Sequence, residues 1–201
     1  DHAYEGLFIA LVYNFTGGVL FRWIRDNFGE LEQQEAEKTG RDVYDILCEK
    51  AADKPTNLLV LPHFTSTGVP HFDTHSRGAI LGMTFSTTKG EIIRAILEGI
   101  TLELRYCVDL LEKAGVTINE LRATGGGSKS DYWMQIKADI MGRPIRVAEV
   151  TEAGSLGCAM LAGTATGIYT SLDEAVKQLV KPGKLFEPVE TNAAYYNDRF
   201  A

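Results

Sequence analysis

Three consecutive glycines, Gly125 to Gly127, are the part of the chain whose residue types most directly suggest chemistry. Glycine has no Cβ atom to obstruct a flat ligand, adopts positive φ angles, and leaves free amides at a helix start. A bound nucleotide needs these properties. The spacing matches neither GxGxxG nor GxxxxGK[ST], because Lys129 follows the glycines too soon. On spacing alone, the run predicts either a nucleotide site or a tight turn between strand and helix.

A second group of polar residues, His63, His71, Asp73 and His75, lies in a segment rich in Pro, Thr, Ser and Gly. Histidine and aspartate can bind zinc, but such a site needs three or four ligands in a preorganised geometry, which proximity in sequence does not supply. We therefore interpret these residues as loop hydrogen-bonding and interdomain contact residues, with Asp73 capping a turn. No metal ligand is assigned.

The glycine run is positioned by a predicted strand at "LRAT" and by a helix that follows it. Trp133, Ile136 and Ile140 form one apolar stripe of that helix, which Gly142 ends. Packing in the core is therefore favoured for Trp133 over stacking on a base, although Tyr132 and Trp133 both have rings that could stack.

The most strongly marked helix begins at "TKGE", where Thr88 and Glu91 have the spacing of a capping box. An apolar stripe with helical period continues over residues 93–111, and Gly115 ends the helix. Residues 62–77 lack periodicity and predict a long ordered loop, followed by a strand at "GAILGMTF".

Three other segments carry expectations that the structure can test. The apolar run "EGLFIALVYNF" predicts a buried strand from about Gly6 to Phe15, and the charged segment "ELEQQEAEKTG" predicts a solvated excursion. The helix opened by Thr151 has many small residues, which predicts close approach of another backbone. The last clear helix starts at Ser171. The alternation of strands and helices predicts an α/β domain.

Composition limits the class of protein. A chain of 201 residues with 45% hydrophobic content can bury a sizeable core. The net charge of -7 disfavours a nucleic-acid partner, and no apolar run approaches the ~20 residues of a membrane-spanning helix. Cys48, Cys107 and Cys158 are widely spaced and predict reduced core thiols in a cytoplasmic protein. Because the chain lacks an initiator methionine, we expect a fragment of a longer protein.

Several motifs resemble, in the same order along the chain, those of the FGGY carbohydrate kinases. The stretch "GAILGMTFSTTKGEIIRAILE" is similar to that family's C-terminal signature. The matching signature positions are Gly78, Gly82, Glu91, Ala95 and Glu98. The blocks "GGVLFRWIRD", "PHFTSTGVPHFDTHSRG", "ATGGGSKSDYWMQIKADIMGRPI" and "TEAGSLGCAMLAG" extend the resemblance from about Gly17 to Phe186.

The resemblance implies an α/β, ribonuclease H-like fold of the actin, sugar kinase and Hsp70 ATPase superfamily, with a mixed sheet flanked by helices. It further implies that residues 1–201 form a single domain, the C-terminal nucleotide-binding half of a two-domain kinase that uses ATP and Mg²⁺. The catalytic Asp and most sugar contacts are then expected in a missing N-terminal domain. The chain alone should be inactive, and no catalytic residue is assigned within it.

The resemblance also implies where ATP is held. The expected nucleotide contacts are Gly18, Arg22, Gly125, Gly126, Gly127 and Ser130. Gly18 is expected near the ribose and phosphates, Arg22 beside the adenine, and the Gly126 backbone against adenine and ribose. Ser130 corresponds to a polar residue at the edge of the base, where relatives often have Asn. Its shorter side chain makes an intervening water the expected link.

The phosphate acceptor is expected to be a ketopentose or related sugar or polyol, because "ATGGGSKSDYW" resembles the xylulokinase-like members more than the glycerol kinases. Two alternatives stay open: a non-catalytic actin-like or Hsp70-like nucleotide-binding module, and a scaffold or oligomerisation module in which the glycines only form a turn. Assembly into a homo-oligomer also stays open. The remaining expectations are a cytoplasmic location and no nucleic-acid or membrane partner.

Overall fold

The computed structural model describes residues 2–200. The helices are α1 Gly17–Phe28, α2 Glu30–Thr39, α3 Val43–Glu49, α4 Lys89–Lys113, α5 Asp131–Met141, α6 Ala153–Ala165, α7 Leu172–Leu179 and α8 Glu190–Phe200. The strands are β1 Leu59–Leu61, β2 Ala79–Leu81, β3 Leu121–Ala123, β4 Ile145–Ala148 and β5 Pro182–Phe186. Among these described helices, none has both the length and the hydropathy needed to cross a membrane.

The strands form two small sheets. β3 pairs with β4 in parallel, with Leu121 opposite Ile145, and β5 pairs antiparallel with β4, with Phe186 opposite Ile145. Helix α5 connects the two parallel strands, and its Met134 and Ala138 are buried against Ile145 and Phe186. β1 and β2 form a separate antiparallel pair. The larger sheet is therefore mixed and is covered by a helix, as predicted.

Helix α4 lies in the centre of the main core. Its predicted capping box is confirmed: the Thr88 side chain accepts a hydrogen bond from the Glu91 amide, and Glu91 accepts one from the Thr88 amide at 2.7 Å. The buried apolar residues of this core include Leu20, Phe21, Ile24, Leu47, Ile93, Ile96, Leu97, Ile100, Trp133, Ile136, Ile140 and Tyr196. They come from α1, α3, α4, α5 and α8, so the core fixes α1, α3 and α5 relative to one another.

A buried ion pair joins α4 to α8 and to the loop before β1. Arg94 and Glu98 are both 3% exposed, and the Arg94 Nε donates to Glu98 Oε1 at 2.7 Å. Glu98 also accepts hydrogen bonds from the hydroxyls of Tyr196 at 2.6 Å and Thr56 at 2.8 Å. Since each carboxylate oxygen has a donor, the buried charge is compensated.

The predicted strand from Gly6 to Phe15 is wrong. These residues contain no strand, and the side chains of Leu7, Phe8, Ile9 and Leu11 are 54% to 81% exposed. A strand forms only where a second backbone pairs with it in a ladder of hydrogen bonds. Here the Val69 amide donates to the Tyr13 carbonyl at 3.2 Å, but no ladder develops between described residues.

The charged segment after Gly29 forms helix α2, and most of its residues are exposed, in agreement with the predicted solvation. Its Glu32 is 2% exposed, and the carboxylate pairs with Lys89 Nζ at 2.5 Å and with Lys50 Nζ at 3.5 Å. The chain also continues beyond the helix at Ser171 that we expected to be the last clear one. β5 and α8 follow α7, and α8 buries Tyr196.

The close backbone approach predicted for α6 does not occur within residues 2–200. A Cβ atom placed on Gly154 or Gly157 would have no heavy atom within 4 Å, and one on Gly163 would meet side chains, those of Tyr169 and Ile168. Cys158 on the same helix is exposed, so the prediction of a core thiol is wrong there. Helix α6 packs against α7 and leaves much of its surface free. Cys48 and Cys107 are buried free thiols, as predicted.

Candidate functional site

The start of helix α1 supplies the first wall of the candidate site. Thr16 precedes this helix, but its hydroxyl donates to the Pro62 carbonyl and makes no cap to the helix amides. The first amides of α1 therefore have no side-chain cap, and they carry the positive end of the helix dipole. Gly18 belongs to this first turn, and Arg22 follows one turn later on the same helix.

The glycine run supplies the opposite wall. Gly125 has a φ of 85°, and its amide donates to the Thr151 carbonyl at 3.0 Å. Gly126–Ser128 then form one turn of 3-10 helix, which the Ser128 hydroxyl closes onto the Gly125 carbonyl at 2.7 Å. Ser130 caps α5 by accepting a hydrogen bond from the Trp133 amide at 3.3 Å. The turn between β3 and α5 is thus held by its own hydrogen bonds.

These two walls enclose an open cleft of about 640 Å³. Its lining residues are Gly18, Val19, Phe21, Arg22, Asp42, Tyr44, Asp45, Gly126, Gly127, Lys129, Ser130 and Trp133. Five of the six residues expected to contact a nucleotide therefore line one cleft, and only Gly125 does not. Residues more than a hundred positions apart meet because α1 and α5 both pack on α4.

Two of the glycines leave space that a ligand could occupy. A Cβ atom at Gly18 or at Gly126 would meet no heavy atom within 4 Å. At Gly127 the same atom would lie 3.0 Å from Cζ3 of Trp133, so a side chain here would crowd the Trp133 ring. The absence of side chains at Gly18 and Gly126 thus opens the cleft, which is the arrangement that suits a flat, polar ligand such as a nucleotide.

Aromatic side chains form the floor of the cleft. The Phe21 ring lies 5.1 Å from the ring of Tyr44 and 6.1 Å from that of Trp133. Trp133 is fixed further because its indole N–H donates to the Thr101 hydroxyl at 3.2 Å. The predicted core packing of Trp133 is confirmed, while Tyr132 donates its hydroxyl to the Ala52 carbonyl at 2.5 Å and is not among the cleft residues.

The charged residues of the cleft are unevenly distributed. Arg22 and Lys129 lie beside the two glycine walls, whereas Asp42 and Asp45 come from α3 and the residue that caps it. Behind the glycine turn, Lys137 places its ammonium 4.1 Å from the centre of the Trp133 ring. Burial lowers the pKa of Lys137 to about 8 because the charged form is desolvated.

Sequence reasoning did not identify the contribution of α3. Tyr44, Asp42 and Asp45 follow the charged segment, and no local pattern distinguishes them from surface residues. They reach the cleft through tertiary packing, because the Sγ atom of Cys48 on α3 lies 3.4 Å from the Ser130 hydroxyl. Burial raises the pKa of the Cys48 thiol to about 11, so it stays protonated at neutral pH.

The histidine-rich loop does not join this cleft. His63 is buried, with Nδ1 2.7 Å from the Ser76 hydroxyl and Nε2 3.4 Å from Glu103. Asp73 accepts a hydrogen bond from the His75 amide at 2.7 Å, which is the predicted turn cap. In the part of the chain that the structure describes, no group of three or more His, Cys, Asp and Glu residues is arranged to hold a metal ion.

Residues 5–166 match the FGGY family of carbohydrate kinases, C-terminal domain. A glycerol kinase from Lactobacillus acidophilus is 37% identical over 178 residues, which are 87% of this chain and 33% of that protein. A glycerol kinase from Deinococcus radiodurans is 36% identical over 176 residues, again 87% and 33%. The chain therefore spans about a third of the length of the curated relatives it matches.

Solved sugar kinases share the fold. Ligand-bound xylulose kinase from Lactobacillus acidophilus superposes with a TM-score of 0.76 at 29% identity, covering 94% of this chain and 37% of that one. Plasmodium falciparum glycerol kinase with ADP gives 0.71 at 29% identity, covering 91% and 35%. The predicted fold class, that of the actin, sugar kinase and Hsp70 ATPases, is thereby confirmed. The chain belongs to the FGGY family of carbohydrate kinases, and the part of the family that it matches is the C-terminal domain.

Proposed function

We propose that residues 1–201 form the nucleotide-binding C-terminal half of a two-domain kinase, which transfers the γ-phosphate of ATP to a hydroxyl of a sugar or polyol. The observation that carries this proposal is the cleft of about 640 Å³ between α1 and the glycine turn. Its shape, its open positions at Gly18 and Gly126, and its uncapped helix amides suit an adenine nucleotide. If the glycine turn only connected β3 to α5, no open cleft between it and the start of α1 would be needed.

In this proposal the nucleotide lies along the cleft with its ribose and phosphates near Gly18. Arg22 borders the adenine, and the Gly126 backbone passes against the base and the ribose. Ser130 lies at the edge of the base. Its hydroxyl oxygen accepts the Trp133 amide and lies 3.4 Å from Cys48 Sγ, and the remaining hydrogen-bonding capacity of the hydroxyl can serve a base nitrogen or a bridging water.

The residues of this chain supply positioning more than chemistry. Phosphoryl transfer depends on holding the γ-phosphate in line with its acceptor and on stabilising the charge that develops there. The Asp that accepts the proton of the sugar hydroxyl is proposed to lie in the N-terminal domain, and that domain is the partner that completes the cleft. Mg²⁺ would accompany ATP and neutralise part of the phosphate charge. It would be held mainly through the phosphates, since the described residues offer no cluster of metal ligands.

The acceptor is proposed to be a ketopentose or a related sugar or polyol. Relatives and structural neighbours are named as glycerol, xylulose and gluconate kinases, so all three classes of compound belong in a substrate screen. A cytoplasmic location and homo-oligomer formation stay predictions.

The decisive experiment measures ADP formation by the full-length protein with ATP and a panel containing glycerol, D-xylulose, other ketopentoses and gluconate. We expect one of these compounds to increase ADP formation well above the hydrolysis seen with ATP alone. The 201-residue chain by itself should produce no sugar phosphate.

Two results would oppose the proposal in different ways. Sugar phosphorylation by the 201-residue chain alone would show that the catalytic groups are not in another domain. If the full-length protein bound ATP but phosphorylated no member of a broad panel, a non-catalytic nucleotide-binding module would become the better account.

A further inference from the structure

The cleft has an electrostatic direction that the family resemblance did not predict. The uncapped amides at the start of α1 place positive charge beside Gly18, while Asp42 and Asp45 place two carboxylates at the α3 side. A triphosphate carries several negative charges and is repelled by carboxylates at short range. The phosphates of a bound nucleotide would therefore lie away from α3, and its nucleoside would lie towards it.

The two carboxylates differ in what they already bind. Asp42 caps α3, because its Oδ1 accepts the Tyr44 amide at 2.7 Å. Asp45 lies one position beyond Tyr44 on the exposed side of α3, and among the described residues it has no hydrogen bond or ion pair of its own. An ionised carboxylate is an acceptor only, so Asp45 can bind a ligand group that donates a proton.

The position of Asp45 relates it to the proposed edge of the base. Cys48, which touches the Ser130 hydroxyl at 3.4 Å, lies three residues after Asp45 and thus on the adjoining turn of α3. Ser130 and Asp45 both line the cleft. A base whose edge lies at Ser130 and whose exocyclic group is turned towards α3 would bring that group to the side of the cleft on which Asp45 lies.

Resting on the proposed nucleotide function, we propose that Asp45 recognises adenine by accepting a hydrogen bond from its 6-amino group. This residue would give the enzyme its preference for adenine nucleotides. A 6-oxo purine presents a carbonyl oxygen at the same position, and two oxygen acceptors facing each other repel. The recognition belongs to the nucleoside alone, so it does not require the phosphates.

The test compares adenosine with purine riboside, which lacks only the 6-amino group. Binding of both nucleosides to the full-length protein is measured by calorimetry for wild type, Asp45→Asn, Asp45→Ala and the control Asp198→Asn. Asp198 is an exposed aspartate on α8 that does not line the cleft, and its replacement changes the net charge equally. Nucleosides are the appropriate probes because removing a carboxylate also relieves repulsion of the ATP phosphates.

We expect wild type and Asp198→Asn to bind adenosine about tenfold more tightly than purine riboside, as for a hydrogen bond to a charged group. Asp45→Ala should reduce that ratio to about one. Asp45→Asn should retain a smaller preference, because its amide oxygen can still accept. An unchanged ratio in both Asp45 variants would overturn the assignment of this residue. If wild type bound neither nucleosides nor ATP, the proposed nucleotide function itself would fail instead.

Discussion

Replacement of Gly126 or Gly127 by alanine in the full-length protein should change the stability of the fold in opposite directions. A Cβ atom at Gly126 enters open space, with no heavy atom within 4 Å, and the φ of this residue lies outside the positive range. Gly126→Ala should therefore fold normally, with a gain in unfolding free energy of up to about 1 kcal/mol from the stiffer unfolded chain. Its methyl group would occupy the space proposed for adenine and ribose, so ATP affinity should fall by about tenfold.

Gly127→Ala should instead lower the stability of the fold. Its Cβ atom would lie 3.0 Å from Cζ3 and 3.4 Å from Cε3 of Trp133, below an ordinary carbon contact. Trp133 is 4% exposed and hydrogen-bonded to Thr101, so it cannot move away freely. Overpacking of this kind costs about 1 to 3 kcal/mol, which corresponds to a fall in the Tm of this domain of about 2 to 12 °C.

Differential scanning calorimetry and ATP titration together separate the two effects. The variant Gly126→Leu extends the test, since a larger side chain in the same open space should abolish ATP binding while leaving Tm within about 2 °C of wild type. Wild-type ATP affinity in Gly126→Leu would refute the placement of the nucleotide. Equal losses of stability in the two alanine variants would refute the packing argument.

Three further predictions concern charged groups. Glu98→Gln removes the partner of buried Arg94 and should lower the unfolding free energy by about 3 to 5 kcal/mol in urea titrations, whereas replacing both residues by apolar ones should cost less than the sum of the single changes. Burial acts to raise the pKa of Glu32, but the hydrogen bond and ion pair with Lys89 lower it below the ordinary value of 4.5. The ionised Glu32 therefore stabilises the fold above pH 4.5, and this stabilisation is lost as the pH falls through the lowered pKa. The urea midpoints of wild type and Glu32→Gln should therefore converge as the solution is acidified from pH 7. Burial lowers the pKa of Lys137 from 10.5 to about 8. Between these two pH values the unfolded chain binds more protons than the folded chain, so the stability of the wild type should rise with pH. The variant Lys137→Met should therefore have a higher Tm than the wild type at pH 7, and this difference in Tm should shrink towards pH 10.

Helices whose signals are local could be predicted from the sequence. The capping box at Thr88 and Glu91 fixes the start of α4, and the left-handed Gly142 ends α5, because each involves groups only a few residues apart. Helix α2 was not predicted as a helix because its residues are almost all charged or polar. Its single buried carboxylate, Glu32, is stabilised by Lys89, which lies 57 positions away.

The failed strand at residues 6–15 shows the corresponding limit for β structure. Its apolar and aromatic composition is typical of a strand, but a strand is stable only when another backbone satisfies its amides and carbonyls. Composition reports the preference of a segment and carries no information about the partner. The same reasoning applies to α6, whose small residues predicted a close neighbour that residues 2–200 do not provide.

The residues of the candidate site also fall into two groups, those that a local sequence motif identifies and those that only tertiary packing brings to the cleft. Gly18, Gly126 and Ser130 could be identified because each belongs to a motif of fixed spacing that the resemblance located. Asp45 could not, because only the packing of α3 against the start of α5 brings it to the cleft. The two groups also differ in how they can select a ligand. Glycines remove side chains and so admit any flat nucleoside of suitable size, whereas a carboxylate at the edge of the base distinguishes a donor from an acceptor. In the proposed function, the motif residues form the cleft for the nucleotide, and Asp45, which the motifs do not contain, adds a preference among bases.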